Sequence, residues 1–108
     1  MAIKSITPSE VFRLQQESGA ITIIDVREPD EFAEVSSTLA KNFPLSTLNV
    51  DTLSKNIDSR SPVYVLCRSG KRSMRAAEML EQCGFKSIYN IDGGMMEWES
   101  CGLPVVRR

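Results

Sequence analysis

Two short segments constrain the fold more than any other feature of the chain. Residues 20–26 (AITIIDV) and 63–67 (VYVLC) are rich in β-branched side chains and almost wholly apolar, the pattern of strands buried on both faces. Such strands need cover on both sides, and helical signals alternate with them along the chain. Residues 3–6 form a short edge-strand candidate. Thr7-Pro8-Ser9-Glu10 reads as N-cap, first-turn proline and capping-box glutamate of a helix ending near Gly19, with Val11 and Leu14 facing inward. Glu28-Pro29-Asp30-Glu31-Phe32 starts a short acidic helix, its carboxylates suited to the positive end of the helix dipole. Residues 41–45 suggest a brief strand stopped by Pro44, and residues 46–57 a helix carrying Leu48, Leu53 and Ile57.

The clearest helix spans residues 72–83, with Met74, Ala77, Met79 and Leu80 available to the core and Gly84 past its end. Residues 87–91 give the last expected strand. Gly93 and Gly94 then open a short helix through Met96 and Trp98, closed by Gly102 and Pro104. No linker or repeat interrupts this order, so residues 1–108 are read as one α/β domain: a mainly parallel sheet with helices on both faces. Ligands of such sheets bind outside the carboxyl ends of the strands. The two strands marked as central end at Asp25 and Cys67.

Composition narrows the chemistry. The 108 residues are 42% hydrophobic and 25% charged, with 13 Lys+Arg, 14 Asp+Glu, three cysteines and no histidine. That length supports one core, and this balance argues against disorder or a disulfide scaffold. The longest apolar runs are about five residues against the roughly 20 of a membrane span. The start, Met1-Ala2-Ile3-Lys4, lacks the apolar stretch of an export signal, so a reducing cytoplasm is the expected location. Without histidine there is no Ser-His-Asp or Cys-His catalysis and no imidazole metal ligation. Cys67, Cys83 and Cys101 are too far apart for a zinc knuckle or a dithiol motif, so neither metal nor cofactor is expected.

The loop Cys67-Arg68-Ser69-Gly70-Lys71-Arg72-Ser73 joins an apolar strand directly to a helix. Free N–H groups at a helix start favour an anion. A glycine-centred loop can turn successive N–H groups inward as a nest. Arg68, Lys71, Arg72 and Arg75 place four cations within nine residues without one acid, while the remaining nine basic and 14 acidic residues carry −5. Such surroundings favour thiolate over thiol. A thiolate without a base attacks electrophiles whose leaving group is stable unprotonated. Sulfane sulfur transfer fits: the thiolate takes the outer sulfur of a donor such as thiosulfate, expels sulfite and becomes a persulfide for a second nucleophile to unload. The loop N–H groups would hold the persulfide anion, and Arg68, Lys71 or Arg72 the donor's oxyanion.

The chain resembles the rhodanese-like, single-domain sulfurtransferases along nearly its whole length. The resemblance rests on Asp25-Val26-Arg27-Glu28-Pro29-Asp30-Glu31-Phe32, Asn42-Phe43-Pro44-Leu45, the cysteine loop, Asp92-Gly93-Gly94-Met95-Met96-Glu97-Trp98, and the closing Gly102-Leu103-Pro104-Val105. It implies an α/β/α sandwich around a five-stranded sheet, the persulfide role for Cys67, and a backbone cradle from residues 68–72, with Ser73 completing the substrate-binding loop. It also implies a small thiosulfate-like donor, with cyanide, a thiol or a protein as acceptor. The chain departs from the family pattern in residues 33–41, where the family usually carries Gly-His-Ile, a spacer and Gly-Ala; this bears on substrate preference.

Two rivals share the fold. Related cell-cycle phosphatases place one residue more between cysteine and arginine than the four between Cys67 and Arg72, and have histidine where this chain has Leu66. Silent docking modules of the family commonly lose the cysteine. Nucleic-acid binding is disfavoured by the net acidic charge and the absence of an extended basic stripe. Asp25 and Arg27 end the strand beside the loop and are assigned supporting roles, with Arg27 expected to pair with a carboxylate such as Glu31 or Glu34. Trp98 with Met95 or Met96 is expected in the core, and Cys83 at a helix end to pack.

Overall fold

The computed structural model describes residues 3–19, 21–58, 60–68 and 71–107, apart from the side chains of Val50, Ser54, Lys71 and Arg72. The order is β1 (Ile3–Ile6), α1 (Pro8–Ser18), β2 (Thr22–Asp25), α2 (Pro29–Glu34), β3 (Val35–Ser37), β4 (Ala40–Asn42), α3 (Val50–Asn56), β5 (Val63–Leu66), α4 (Lys71–Gln82), β6 (Ile88–Ile91), α5 (Gly94–Ser100) and β7 (Val105–Arg107). Five strands form one sheet in the order β1-β6-β5-β2-β4, every pair parallel. The α/β sandwich expected from the alternation is therefore present, with β5 at its centre and β1 at an edge.

Because β5 is covered on both faces, its four residues are all buried. Successive side chains of a strand point to opposite faces, so the sheet divides the core in two. On one side Ile24, Val63, Val65 and Ile88 pack with Leu53, Ala76, Ala77 and Leu80 of α3 and α4. On the other, Ile23, Leu66 and Ile91 meet Val11 of α1 and Met95 and Trp98 of α5. Each such large apolar side chain, once buried, contributes about 1.5–3 kcal/mol. Tyr64 and Tyr89 are register partners on β5 and β6, their rings stacked 4.9 Å apart. Trp98 is fully buried, and its indole N–H donates to the Pro104 carbonyl at 3.1 Å.

The helix punctuation works as written in the residues. Thr7 accepts from the Glu10 amide at 3.2 Å to start α1, and Gly19 ends it at φ +84°. Glu28 and Glu31 form a reciprocal capping box around Pro29.

Three expectations need correction. The helix expected over residues 46–57 starts only at Val50, because Asn49 caps it by accepting from the Thr52 amide at 2.9 Å, while Leu45–Thr47 makes a single 3-10 turn. Met74 points outward, and Ala76 takes the inward place on α4. The strand at residues 88–91 is not the last: β7 pairs antiparallel with β3, Ser36 opposite Val106. The segment that departs from the family pattern thus supplies the end of α2, a strand, a turn and the start of β4. Among the described residues no helix is long and apolar enough to cross a membrane.

Candidate active site

Cys67 lies one residue past the end of β5, and α4 begins at Lys71. The cysteine is 1% exposed and packs within the α3/α4 side of the core. Its Sγ donates to the Ser73 hydroxyl at 3.4 Å. Ser73, in the first turn of α4, is fully buried and donates in turn to Oδ1 of Asn90. Asn90 sits on β6 opposite Val65, and residues 65 and 67 share a face, so the register of β5 and β6 brings the amide behind the sulfur. A thiol, a hydroxyl and an amide thus line up inside an otherwise apolar layer.

The backbone of Cys67 is held from the other side of the sheet. The Met95 and Met96 amides donate to the carbonyls of Cys67 (2.6 Å) and Arg68 (3.1 Å). These are otherwise orphan donors in the first turn of α5. Such proximity requires glycine at position 94: a Cβ there would lie 2.2 Å from the Cys67 oxygen, and φ is +55°.

Arg68 is exposed and lines a groove of about 360 Å³ with Arg27, Glu34, Met95, Met96 and Glu99. Arg75 lines a different hollow, with Glu28, Leu45 and Ser46. The two cations therefore address different sides of the loop. Ser69 and Gly70 lie outside the described residues, as do the side chains of Lys71 and Arg72, so of the expected cradle, residues 68–72, only Arg68 and the helical backbone at 71 and 72 are described.

At the end of β2, Asp25 and Arg27 form a buried ion pair, Nη2 to Oδ2 at 2.7 Å. This corrects the expected pairing of Arg27 with Glu31 or Glu34. The Glu31 carboxylate accepts from the Glu28 amide in the capping box, and the backbone carbonyl of Glu31 accepts from the Arg27 guanidinium. Arg27 also donates to the Val35 carbonyl at 2.7 Å. The pair thus organises α2 and β3, and none of its hydrogen bonds among the described residues reaches the cysteine loop.

Cys83 is half-buried, and burial pushes its thiol above the usual range; Cys101 is exposed, its Sγ 3.6 Å from Glu97 Oε1. Among the described residues no group of three or more cysteine, aspartate or glutamate side chains is placed to hold a metal ion.

Sequence reasoning missed Asn90. The signal was there: one polar residue inside a strand that otherwise reads Ile88-Tyr89 and Ile91, on the face that adjoins Cys67. It also reads Gly93 and Gly94 only as helix openers, without the close approach of Gly94 to the Cys67 carbonyl.

Residues 7–101 match the family model described as a rhodanese-like domain. The chain belongs to the rhodanese-like domain family. Among its rhodanese-like relatives, a thiosulfate sulfurtransferase, GlpE of Pseudomonas putida, is 33% identical over 97 residues, covering 90% of this chain and 86% of that one. An uncharacterized protein of Synechocystis is 35% identical over 95% of this chain, which spans 56% of that relative's length. Among solved structures, the polysulfide-sulfur transferase homodimer of Wolinella succinogenes superposes with a TM-score of 0.82 at 34% identity, over 99% of this chain and 80% of that one. Both the site's position at a strand end and the parallel sheet around it are thus set in a fold shared with sulfurtransferases.

Proposed function

We propose that this rhodanese-like chain is a sulfurtransferase that carries sulfane sulfur on Cys67. The observation that carries the reading is the cysteine at the carboxyl end of the central strand, directly ahead of a twelve-residue helix, with a hydroxyl against its sulfur. In the first half-reaction the Cys67 thiolate attacks the outer sulfur of thiosulfate. A bond forms between the two sulfurs, the donor's S–S bond breaks with its electron pair, and sulfite departs, leaving Cys67–S–S⁻. In the second, cyanide or a thiolate takes the outer sulfur, and the Cys67 thiolate returns. Neither half needs a proton shuttle, which accords with a chain that contains no histidine.

The proposed roles follow the loop. Backbone N–H groups of Arg68, Ser69, Gly70, Lys71 and Arg72, with the positive end of α4, stabilise the persulfide, and the Arg68, Lys71 and Arg72 side chains attract the sulfonate end of the donor. The 1% exposure of Cys67 favours a small donor. Once loaded, the outer sulfur lies about 2 Å beyond Sγ, where a larger acceptor reaches it. Asp25 and Arg27 support the site at one remove, by fixing α2 and β3. Three cysteines free of disulfides suit a reducing compartment such as the cytoplasm.

The test is intact-mass spectrometry after thiosulfate treatment. The expected result is a gain of one sulfur atom, located on Cys67 by peptide mapping, removed by cyanide and absent from Cys67→Ser. Failure to take up sulfur from thiosulfate, polysulfide and a glutathione persulfide would overturn the reading and favour a docking module.

A further inference from the structure

Behind Cys67 a thiol sulfur, a hydroxyl and an amide oxygen follow one another at hydrogen-bond distance. Cys67 donates to Ser73, and Ser73 donates to Asn90. A hydroxyl has one proton and two lone pairs. While that proton points at Asn90 Oδ1, Ser73 turns a lone pair toward Sγ. That arrangement suits a thiol and repels a thiolate. Cys67, Ser73 and Asn90 are all buried, at 1%, 0% and 7% exposure, so bulk water does not settle the competition. Asn90 itself stands on a strand paired on both sides, with Ser5 of β1 and Val65 of β5.

We infer that Asn90 is a positioning residue that competes with the Cys67 sulfur for the single proton of the Ser73 hydroxyl. When the thiol proton leaves to solvent, the Ser73 O–H turns from Oδ1 to Sγ and stabilises the thiolate. In that step the S–H bond breaks heterolytically, one hydrogen bond is exchanged for another, and no bond between heavy atoms changes. After each turnover the returning thiolate meets the same choice. The inference rests on the reading of Cys67 as the nucleophile, since only there does the exchange have a consequence.

Other charges also act on this thiol. Asp25 and Arg27 at the end of β2, Arg68 in the loop and Asp92 past β6 belong to neighbouring segments. Lys71, Arg72 and Arg75 lie on α4, and Glu97 on α5. They stay unchanged in every variant below and set a common background.

The experiment follows alkylation of Cys67 by iodoacetamide across a range of pH, with peptide mass spectrometry separating it from Cys83 and Cys101. At a pH where the native chain reacts at about a tenth of its limiting rate, Asn90→Val should react roughly 3- to 10-fold faster and Ser73→Ala about tenfold slower, the scale of one hydrogen bond to a charged group. All should converge on the same limiting rate at high pH. The double variant should match Ser73→Ala, because without the hydroxyl there is nothing to compete for. A merely structural role for Asn90 predicts slowing, so an Asn90→Val that reacts more slowly than the native chain, or at the same rate, overturns the inference. Should Asn90→Val fail to fold by circular dichroism, Asn90→Ala carries the same expectation. Alkylation needs no sulfur donor: a native chain that takes no sulfur from any donor would sink the sulfurtransferase reading while these rate ratios still judged the hydrogen-bond exchange.

Discussion

The two central strands β2 and β5 run side by side, Asp25 opposite Leu66, and each ends in buried polar groups, yet the two ends are built on different principles. At the end of β2 a carboxylate and a guanidinium face each other, both almost fully buried, with two backbone carbonyls taking further guanidinium protons. Rearranging any member would strand a charge away from water, at a cost of several kcal/mol. At the end of β5 an uncharged hydroxyl and an uncharged amide stand behind the Cys67 sulfur, with a single hydroxyl proton between them. Saturated charge makes a fixed joint; neutral groups sharing a proton make a site with two states.

The sharpest way to break that contrast is Cys67→Ser, which should abolish sulfur uptake in the mass-spectrometric assay while leaving the thermal unfolding midpoint close to that of the native chain. The reverse pattern is expected at the other strand end. Arg27→Met leaves Asp25 buried without its partner and should cost about 3–5 kcal/mol by urea unfolding. Below its melting temperature it should still load sulfur at a rate within about threefold of the native one. A larger loss in the folded state would show that the ion pair acts on the loop after all.

Gly94→Ala lies between the two. It brings a Cβ against the Cys67 carbonyl at a left-handed φ and should cost about 1–3 kcal/mol. Displacing the loop by even 1 Å should also slow sulfur loading by about 100-fold in single-turnover experiments. The smallest effect belongs to the sheet itself. Burial, and secondarily the charge of Tyr89, raises the Tyr64 phenol above its ordinary 10.0. The folded chain then keeps that proton when the unfolded chain has lost it, so the term is absent at neutral pH and stability falls as pH climbs past about 10. Tyr64→Phe should flatten the decline between pH 9 and 11, measured by urea unfolding.

Much of this was legible in the residues, for identifiable reasons. The strands at residues 22–25 and 63–66 declared themselves because burial on both faces leaves no room for polar side chains. Thr7, Pro8 and Gly19 bounded α1 because caps are local chemistry. What escaped depended on contacts remote in the chain. The three-residue strands β3 and β7 carry no periodicity of their own and pair only because the fold brings residue 36 beside residue 106. Arg27 was assigned a partner further along α2, but its side chain turns back to Asp25, since the Glu31 carboxylate is already engaged by the Glu28 amide. Asn90 stood out only as a polar residue in an apolar strand until the register of β5 and β6 set it behind Cys67. Cys67 stood out from its neighbours in sequence; what lies behind its sulfur was set by its neighbours in space.

The chain has a single tryptophan, and it sits on the helix whose first amides grip the carbonyls of Cys67 and Arg68. A thiol and its persulfide absorb only weakly in the near ultraviolet, but if sulfur loads on Cys67 as proposed, any shift of that loop would reach α5 and its fully buried indole through these two hydrogen bonds. Intrinsic fluorescence would then be an optical gauge of loading, readable in a stopped-flow instrument without label or coupling enzyme.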